Sequence, residues 1–275
     1  MSQTVLISSL GLMGGSLAAA LTSAGWRVLL HHRRPEVAQQ AQDLGFGTAV
    51  TALADGLAQA DLAVVCTPVE VLAEQIRSGA SLPGNAVFTD VGSVKGPLCR
   101  ALADLARAGR FVGSHPMCGS HRTGLAAAQA ELYRDALVLV TPTADTPVTA
   151  VDAVHALWTA VGSRVHRLDP ELHDRAIVAA SHLPHAAACA VAAGLDAEAA
   201  PLAAGGFRDT TRVAAGCPDL WAGILLANAE NVRVGLADMQ ARLTALDAAL
   251  ASGDQASVRA WLEMGRAGRL RFDQR

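Results

Sequence analysis

Apolar positions follow two different rhythms along this chain, and the change falls near residue 168. Before it, short apolar runs alternate with longer stretches of helical spacing. Val5-Leu6-Ile7, Arg27 to Leu30, Ala49-Val50, Asp61 to Cys66 and Asn85 to Asp90 read as strands. Gly11 to Ala24, Pro35 to Leu44 and Val71 to Ser78 read as helices between them, and Thr67-Pro68 stops the fourth strand. Strand alternating with helix predicts an α/β domain with a mostly parallel sheet covered on both faces. Leu137 to Val140 and Arg164 to Leu168 add late strands. After Asp169-Pro170 no run reads as a strand, and helical spacing occupies Leu172 to Ala193, Leu220 to Leu250 and Asp254 to Arg266. Two domains are therefore expected, 1–168 and 169–275, the second all-α. Its helices are rich in Ala and poor in polar residues, so they are expected to bury a face against a second copy as a homodimer.

Composition narrows the function classes. With 51% hydrophobic and 17% charged residues the chain is not disordered. A net charge of −3 argues against a nucleic-acid binder that relies on bulk positive charge. No continuous apolar run reaches the ~18 residues that span a bilayer, and the start carries no basic leader; no membrane association is expected. The five cysteines are widely spaced without a CxxC pair, which reads as reduced thiols of a cytoplasmic protein and not as a disulfide framework or metal site. Of the 22 basic side chains only Lys95 is a lysine.

The first strand runs into Ser9-Leu10-Gly11-Leu12-Met13-Gly14, which carries the second and third glycines of the G-x-G-x-x-G dinucleotide turn, with Ser9 in place of the first. Gly11 would admit a pyrophosphate against the backbone, Gly14 would let helix pack on strand, and the helix N-terminus offers free N–H groups. The second strand ends in His31-His32-Arg33-Arg34. A carboxylate there would bond the ribose 2′-OH of NAD, whereas guanidinium groups pair with the 2′-phosphate of NADP. NADP is therefore favoured, with NAD as the other candidate.

Three further stretches stand out: Thr89-Asp90-Val91-Gly92-Ser93-Val94-Lys95, Gly113-Ser114-His115-Pro116-Met117, and Ser181-His182-Leu183-Pro184-His185. With the Gly-Leu-Met-Gly-Gly-Ser start and the later Asp209-Thr210-Thr211-Arg212, they resemble the prephenate/arogenate dehydrogenase family of tyrosine biosynthesis over nearly the whole chain. The resemblance implies a Rossmann-type domain followed by a helical dimerisation domain, and the oxidative decarboxylation of a small cyclohexadienol. It makes His115 the group that meets the substrate hydroxyl, Ser93 the serine that orients it or touches substrate and nicotinamide, and His185 a second active-site histidine. Arg212 becomes the clamp on a substrate carboxylate, Trp221 a wall of the pocket in one subunit or across the dimer, and Thr67-Pro68 the loop beneath the nicotinamide. Lys95 is assigned a phosphate or carboxylate contact. The match departs at His121, where many relatives carry a glutamate that joins an ionic network corresponding here to Arg208 and Asp209. An uncompensated Asp209 would favour the ammonium of arogenate. Two other readings stay open: another two-domain NAD(P)-dependent dehydrogenase or reductase with a helical dimer domain, and a non-catalytic NADP sensor.

Overall fold

The computed structural model describes residues 3–120 and 122–274. β1 (Thr4–Ser8), β2 (Arg27–His31), β3 (Thr48–Ala49), β4 (Leu62–Val65) and β5 (Val87–Asp90) form an all-parallel sheet in the order β3-β2-β1-β4-β5. The connections carry α1 (Leu12–Ser23), α2 (Pro35–Asp43), α3 (Leu53–Leu57) and α4 (Val69–Ala80). Alternation along each strand feeds two cores. Val5, Ile7, Val28, Leu30, Leu62 and Val64 pack on one face, while Leu6, Leu29, Ala63 and Val65 pack on the other. Such a sheet, buried on both sides, produces the unbroken apolar runs seen in the sequence.

After β5 the chain forms α5 (Gly96–Ala101) and α6 (Ala103–Arg107), then β6 (Gly113–Pro116), β7 (Leu137–Thr141), α7 (Val148–Ala160) and β8 (Arg164–Arg167). β6 pairs antiparallel to β7, and β7 parallel to β8. A bridge from Phe88 to Phe111 joins this second sheet to the edge of the first.

The helical part begins with α8 (Pro170–Ile177), whose start is capped by Asp169 accepting from the N–H groups of Glu171 and Leu172. It passes through a π turn (Val178–His182) into α9 (Leu183–Ala193). By length and composition this continuous helix, Pro170–Ala193, is apolar enough to cross a bilayer, because its many alanines count as apolar. Its buried face carries polar side chains, His173, Asp174, His182 and His185, while Leu172 and Val191 are exposed. α10 (Gly205–Thr211) and α11 (Pro218–Ala227) follow. The single helix expected from Leu220 to Leu250 is interrupted at Asn228, whose amide is drawn inward to donate to the carbonyl of Asp174 at 2.8 Å. The first compact unit runs to Asn228. The second, from Ala229, is a helical pair, α12 (Ala229–Ala251) and α13 (Gln255–Asp273).

Candidate active site

β1, β4 and β5 end on the same edge of the sheet, with Ser8 opposite Val65 and Val65 opposite Asp90. Loops at the carboxyl ends of parallel strands are where an α/β sheet binds its ligands. From Ser8 the chain turns through Ser9 and Leu10 into Gly11, which starts α1 without a side-chain cap and leaves the first N–H groups for a ligand. A Cβ on Gly11 would meet nothing within 4 Å, whereas one on Gly14 would lie 2.0 Å from the Ser9 carbonyl oxygen. Gly11 thus borders open space and Gly14 permits the close approach of helix to turn. Ser9, in place of the first glycine, has a φ of +74°, the left-handed conformation that a glycine adopts without strain. Leu12 is buried and the Met13 carbonyl accepts from the Tyr133 hydroxyl at 2.8 Å, so both serve the turn through the backbone.

At the end of β2, Arg33 and Arg34 are exposed, and neither forms an ion pair among the described residues. His32 Nδ1 accepts from the Arg34 N–H at 3.0 Å. Burial, then the Arg34 charge, lowers the pKa of His32, so a neutral ring sits beside two guanidinium groups. After β4, Thr67 holds a buried hydroxyl with no partner among the described residues, and Pro68 precedes α4. A buried donor left open at this edge fits a group that arrives with the cofactor.

Asp90 links the edge to His115. Its carboxylate accepts from Gly92 N–H at 2.8 Å and Ser114 N–H at 3.1 Å, and also pairs with Lys95. Ser114 precedes His115 on β6. These bonds tie the start of β6, and with it His115, to the carboxyl end of β5. Lys95 is not a ligand contact. It is fully buried, and its ammonium binds Asp90 and donates to the Ser114 carbonyl at 2.9 Å. The sole lysine therefore pins β6 to β5.

His115 is 6% exposed, and its Nδ1 lies 3.0 Å from His173 Nε2. His173 Nδ1 is in turn 2.7 Å from Asp174 Oδ1. Asp174 also accepts from the N–H groups of Lys95 and Gly96 at 2.8 Å each, capping α5 from a distant element. Desolvation, then the positive ends of His173, Lys95 and His182, holds His115 well below the usual imidazole range. His115 Nδ1 faces α8 and is bonded there by His173, not by Ser93. Ser93 is half-buried on the β5–α5 turn and makes no hydrogen bond among the described residues.

The π turn brings the other histidines round. At about 100° per residue, a plain helix would set His182 about 180° and His185 about 120° away from His173. Taking up roughly one extra residue in the wider turn reduces these angles to about 80° and about 20°. His185 stacks on Trp221, ring centroids 3.5 Å apart and planes 10° apart, and His182 meets the same indole edge-on at 6.3 Å. Both contacts lie within one chain. Trp221 is brought there because α11 packs on the start of α4, where Gly223 leaves room for Glu70 (an added Cβ would lie 1.7 Å from its carboxylate). His182 Nε2 and His185 Nδ1 are buried without partners among the described residues. Burial lowers both pKa values, that of His182 to about 4.

Arg212 stands exposed on the short turn Arg212–Ala215, which packs against α9. Asp209 is not uncompensated: Arg208 lies 3.4 Å away, and both are exposed. That removes the charge argument drawn from Asp209. His121 lies outside the described residues. Burial raises the Cys118 thiol to about 11, so it is not a ready nucleophile. Sequence reasoning missed His173, Asp174 and Asn228. The available signal was a His-Asp pair one turn inside a proline-started helix.

Three buried neutral imidazoles have a cost in acid. Their folded pKa values lie below the unfolded value of about 6.5, so the unfolded chain binds more protons below that pH. The stability they contribute is complete above about pH 6.5 and is lost as pH falls, for His182 towards about 4. The urea midpoint is expected to drop between about pH 7.5 and about pH 5; a flat midpoint contradicts this.

Known proteins align along almost the whole molecule. The family model described as "Prephenate dehydrogenase, nucleotide-binding domain" matches residues 17–167, and "Prephenate dehydrogenase, dimerization domain" matches residues 169–264. Cyclohexadienyl dehydrogenase of Zymomonas mobilis is 34% identical over 261 residues, 91% of this chain and 89% of that protein. The crystal structure of prephenate dehydrogenase from Aquifex aeolicus, in complex with hydroxyphenyl propionate and NAD+, is similar with a TM-score of 0.89 at 31% identity, covering 99% of each chain. Synechocystis arogenate dehydrogenase gives a TM-score of 0.86 at 26% identity, covering 98% of this chain and 100% of that one.

Proposed function

Because this chain belongs to the prephenate dehydrogenase family, we propose that it oxidatively decarboxylates prephenate or arogenate with NADP as the preferred cofactor. The family assignment supports an oxidoreductase of tyrosine biosynthesis that uses a nicotinamide cofactor. The observation that carries the reading is His115, a buried neutral imidazole joined through Ser114 and Asp90 to the edge where the dinucleotide turn opens. A neutral imidazole can accept a hydroxyl proton at physiological pH.

Gly11, Gly14 and the backbone of Ser9, Leu12 and Met13 would hold the pyrophosphate, and Thr67 and Pro68 would border the nicotinamide. When bound, the cofactor accepts the hydride. His115 holds the hydroxyl proton. Ser93 and His185, with Trp221 stacked behind it, would border the ring, and Arg212 would clamp a carboxylate. Prephenate and arogenate share the ring on which these residues act and differ at the side-chain end.

Reduction of NADP+ or NAD+ by purified protein, followed at about 340 nm with each substrate in turn under one set of conditions, tests the assignment. No reduction with any of the four combinations rejects it. The cofactor preference rests on Arg33 and Arg34, which are exposed and have no carboxylate partner among the described residues. Replacing both with alanine is expected to raise KM for NADP+ on the order of 10-fold, with a smaller effect for NAD+. Equal losses for the two cofactors remove the 2′-phosphate contact.

We also propose a homodimer through the C-terminal helices, supported by the dimerization-domain match. α12 and α13 bury only Val232 and Ala249 while Val234, Leu243, Leu262 and Phe272 stay exposed. Two helices with that surface need a further apolar partner. The five thiols are all free, as a reducing cytoplasm would keep them. A lysine-based reductase is disfavoured, since Lys95 is sealed in an ion pair. A sensor without catalysis would have no use for the His115–His173–Asp174 chain.

A further inference from the structure

The proton acceptor at His115 has two nitrogens, and only one can face a substrate. Its Nδ1 is engaged 3.0 Å from His173 Nε2, and the rings meet at 66°. The far end of this chain fixes the direction of its hydrogen bonds. The Asp174 carboxylate accepts from two backbone N–H groups and has no proton to offer, so His173 Nδ1 donates to it across 2.7 Å. A neutral imidazole carries one N–H, which leaves His173 Nε2 bare. The hydrogen on the next contact then belongs to His115 Nδ1, and His115 Nε2 keeps its lone pair.

We infer that His173 and Asp174 are positioning residues that hold His115 in the Nδ1–H tautomer, so that Nε2 takes the substrate's hydroxyl proton. This rests on the dehydrogenase reading given above. All three side chains are buried, and the groups packed around them are fixed as well. The Lys95 ammonium is held by Asp90 and Ser114. Asn228 donates to the Asp174 carbonyl and lies 3.3 Å from His182 Nδ1. The wrong tautomer would aim an N–H at the substrate hydroxyl and leave no base.

In the proposed step the hydroxyl O–H bond breaks and its proton moves to Nε2. The O–H electron pair forms a C=O bond as the ring hydride leaves for the nicotinamide. Loss of the ring carboxylate as CO₂ returns an electron pair through the ring to that oxygen, which takes the proton back from His115. While His115 is cationic, its Nδ1–H bond to His173 becomes charge-assisted, and Asp174 need not be protonated.

The test uses the full chain labelled with ¹⁵N-histidine. Long-range ¹H–¹⁵N spectra at about pH 7.5 show which ring nitrogens carry hydrogen, with signals assigned from His115→Asn and His173→Gln. The expected result is Nδ1–H at both His115 and His173. Nε2–H at His115, or a doubly protonated His173, overturns the inference. His173→Gln supplies an amide oxygen that can accept from His115 Nδ1, and is expected to keep the tautomer and hold kcat within about 10-fold. His173→Leu removes the acceptor and is expected to lower kcat about 10²–10³-fold, with KM little changed. Equal kcat in the Gln and Leu variants also overturns it, and the wild-type spectrum decides if the Leu variant does not fold. A wild type with the expected tautomers that turns over neither substrate counts against the dehydrogenase reading alone.

Discussion

Asparagine in place of His115 lowers kcat about 10²–10⁴-fold and leaves KM within a few-fold. Asparagine keeps an N–H that can reach His173 but has no group able to accept a proton, so the change removes the base more than it disturbs the wall. The pH profile provides an independent signature. In the wild type, kcat/KM is expected to rise with pH as His115 loses its proton. Because burial and the neighbouring His173, Lys95 and His182 lower its pKa, that rise is complete below the usual value of about 6.5. Activity is therefore on its plateau at neutral pH, and in the variant the acidic limb due to His115 disappears. Initial rates between about pH 5 and about pH 9 check both points. Wild-type turnover in the variant, or an unchanged acidic limb, takes His115 out of the chemistry.

Lys95→Met is expected to destabilise the fold by about 3–5 kcal/mol, the usual cost of breaking one side of a buried ion pair. Both side chains are wholly inaccessible, so the Asp90 carboxylate would be left in the interior with only the N–H groups of Gly92 and Ser114. The exposed Arg77–Asp104 pair provides the contrast. Its 2.8 Å contact is largely in water, with side chains 49% and 60% accessible, and removing it is expected to cost far less than removing Lys95. Urea midpoints of the two variants separate the cases. A loss under about 1 kcal/mol for Lys95→Met would show that Asp90 finds another partner or takes up a proton. Adding Asp90→Asn to Lys95→Met should recover part of the loss, since the stranded charge is then gone while an acceptor oxygen remains.

The alternation of strands with helices, the dinucleotide turn and the change to helix at Asp169 were legible because each is a local pattern. Leu6 and Ile7 enter opposite cores simply through their position on a strand. β6 was not legible. Gly113-Ser114-His115-Pro116 has little strand preference of its own, and it is a strand because β7 and the Asp90 carboxylate pair with its backbone. Lys95 was misread for a related reason. A lone lysine on a turn normally faces water, and only the distant partners Asp90 and Ser114 keep it inside. His173 escaped notice because its meaning lies 58 residues away, at His115. The alignment of His182 and His185 depends on a π turn, which no spacing rule for a regular helix reveals. Ser9 shows the opposite limit: the substitution was visible in the sequence, but the left-handed backbone that persists there was not.

With its single lysine sealed between two strands, the folded molecule presents no side-chain amine to solvent. Reagents and enzymes that acylate lysine, or that join proteins through it, find no side-chain target until the β5–β6 seam opens. Reactivity of that one amine would therefore report breathing of the very seam that carries His115.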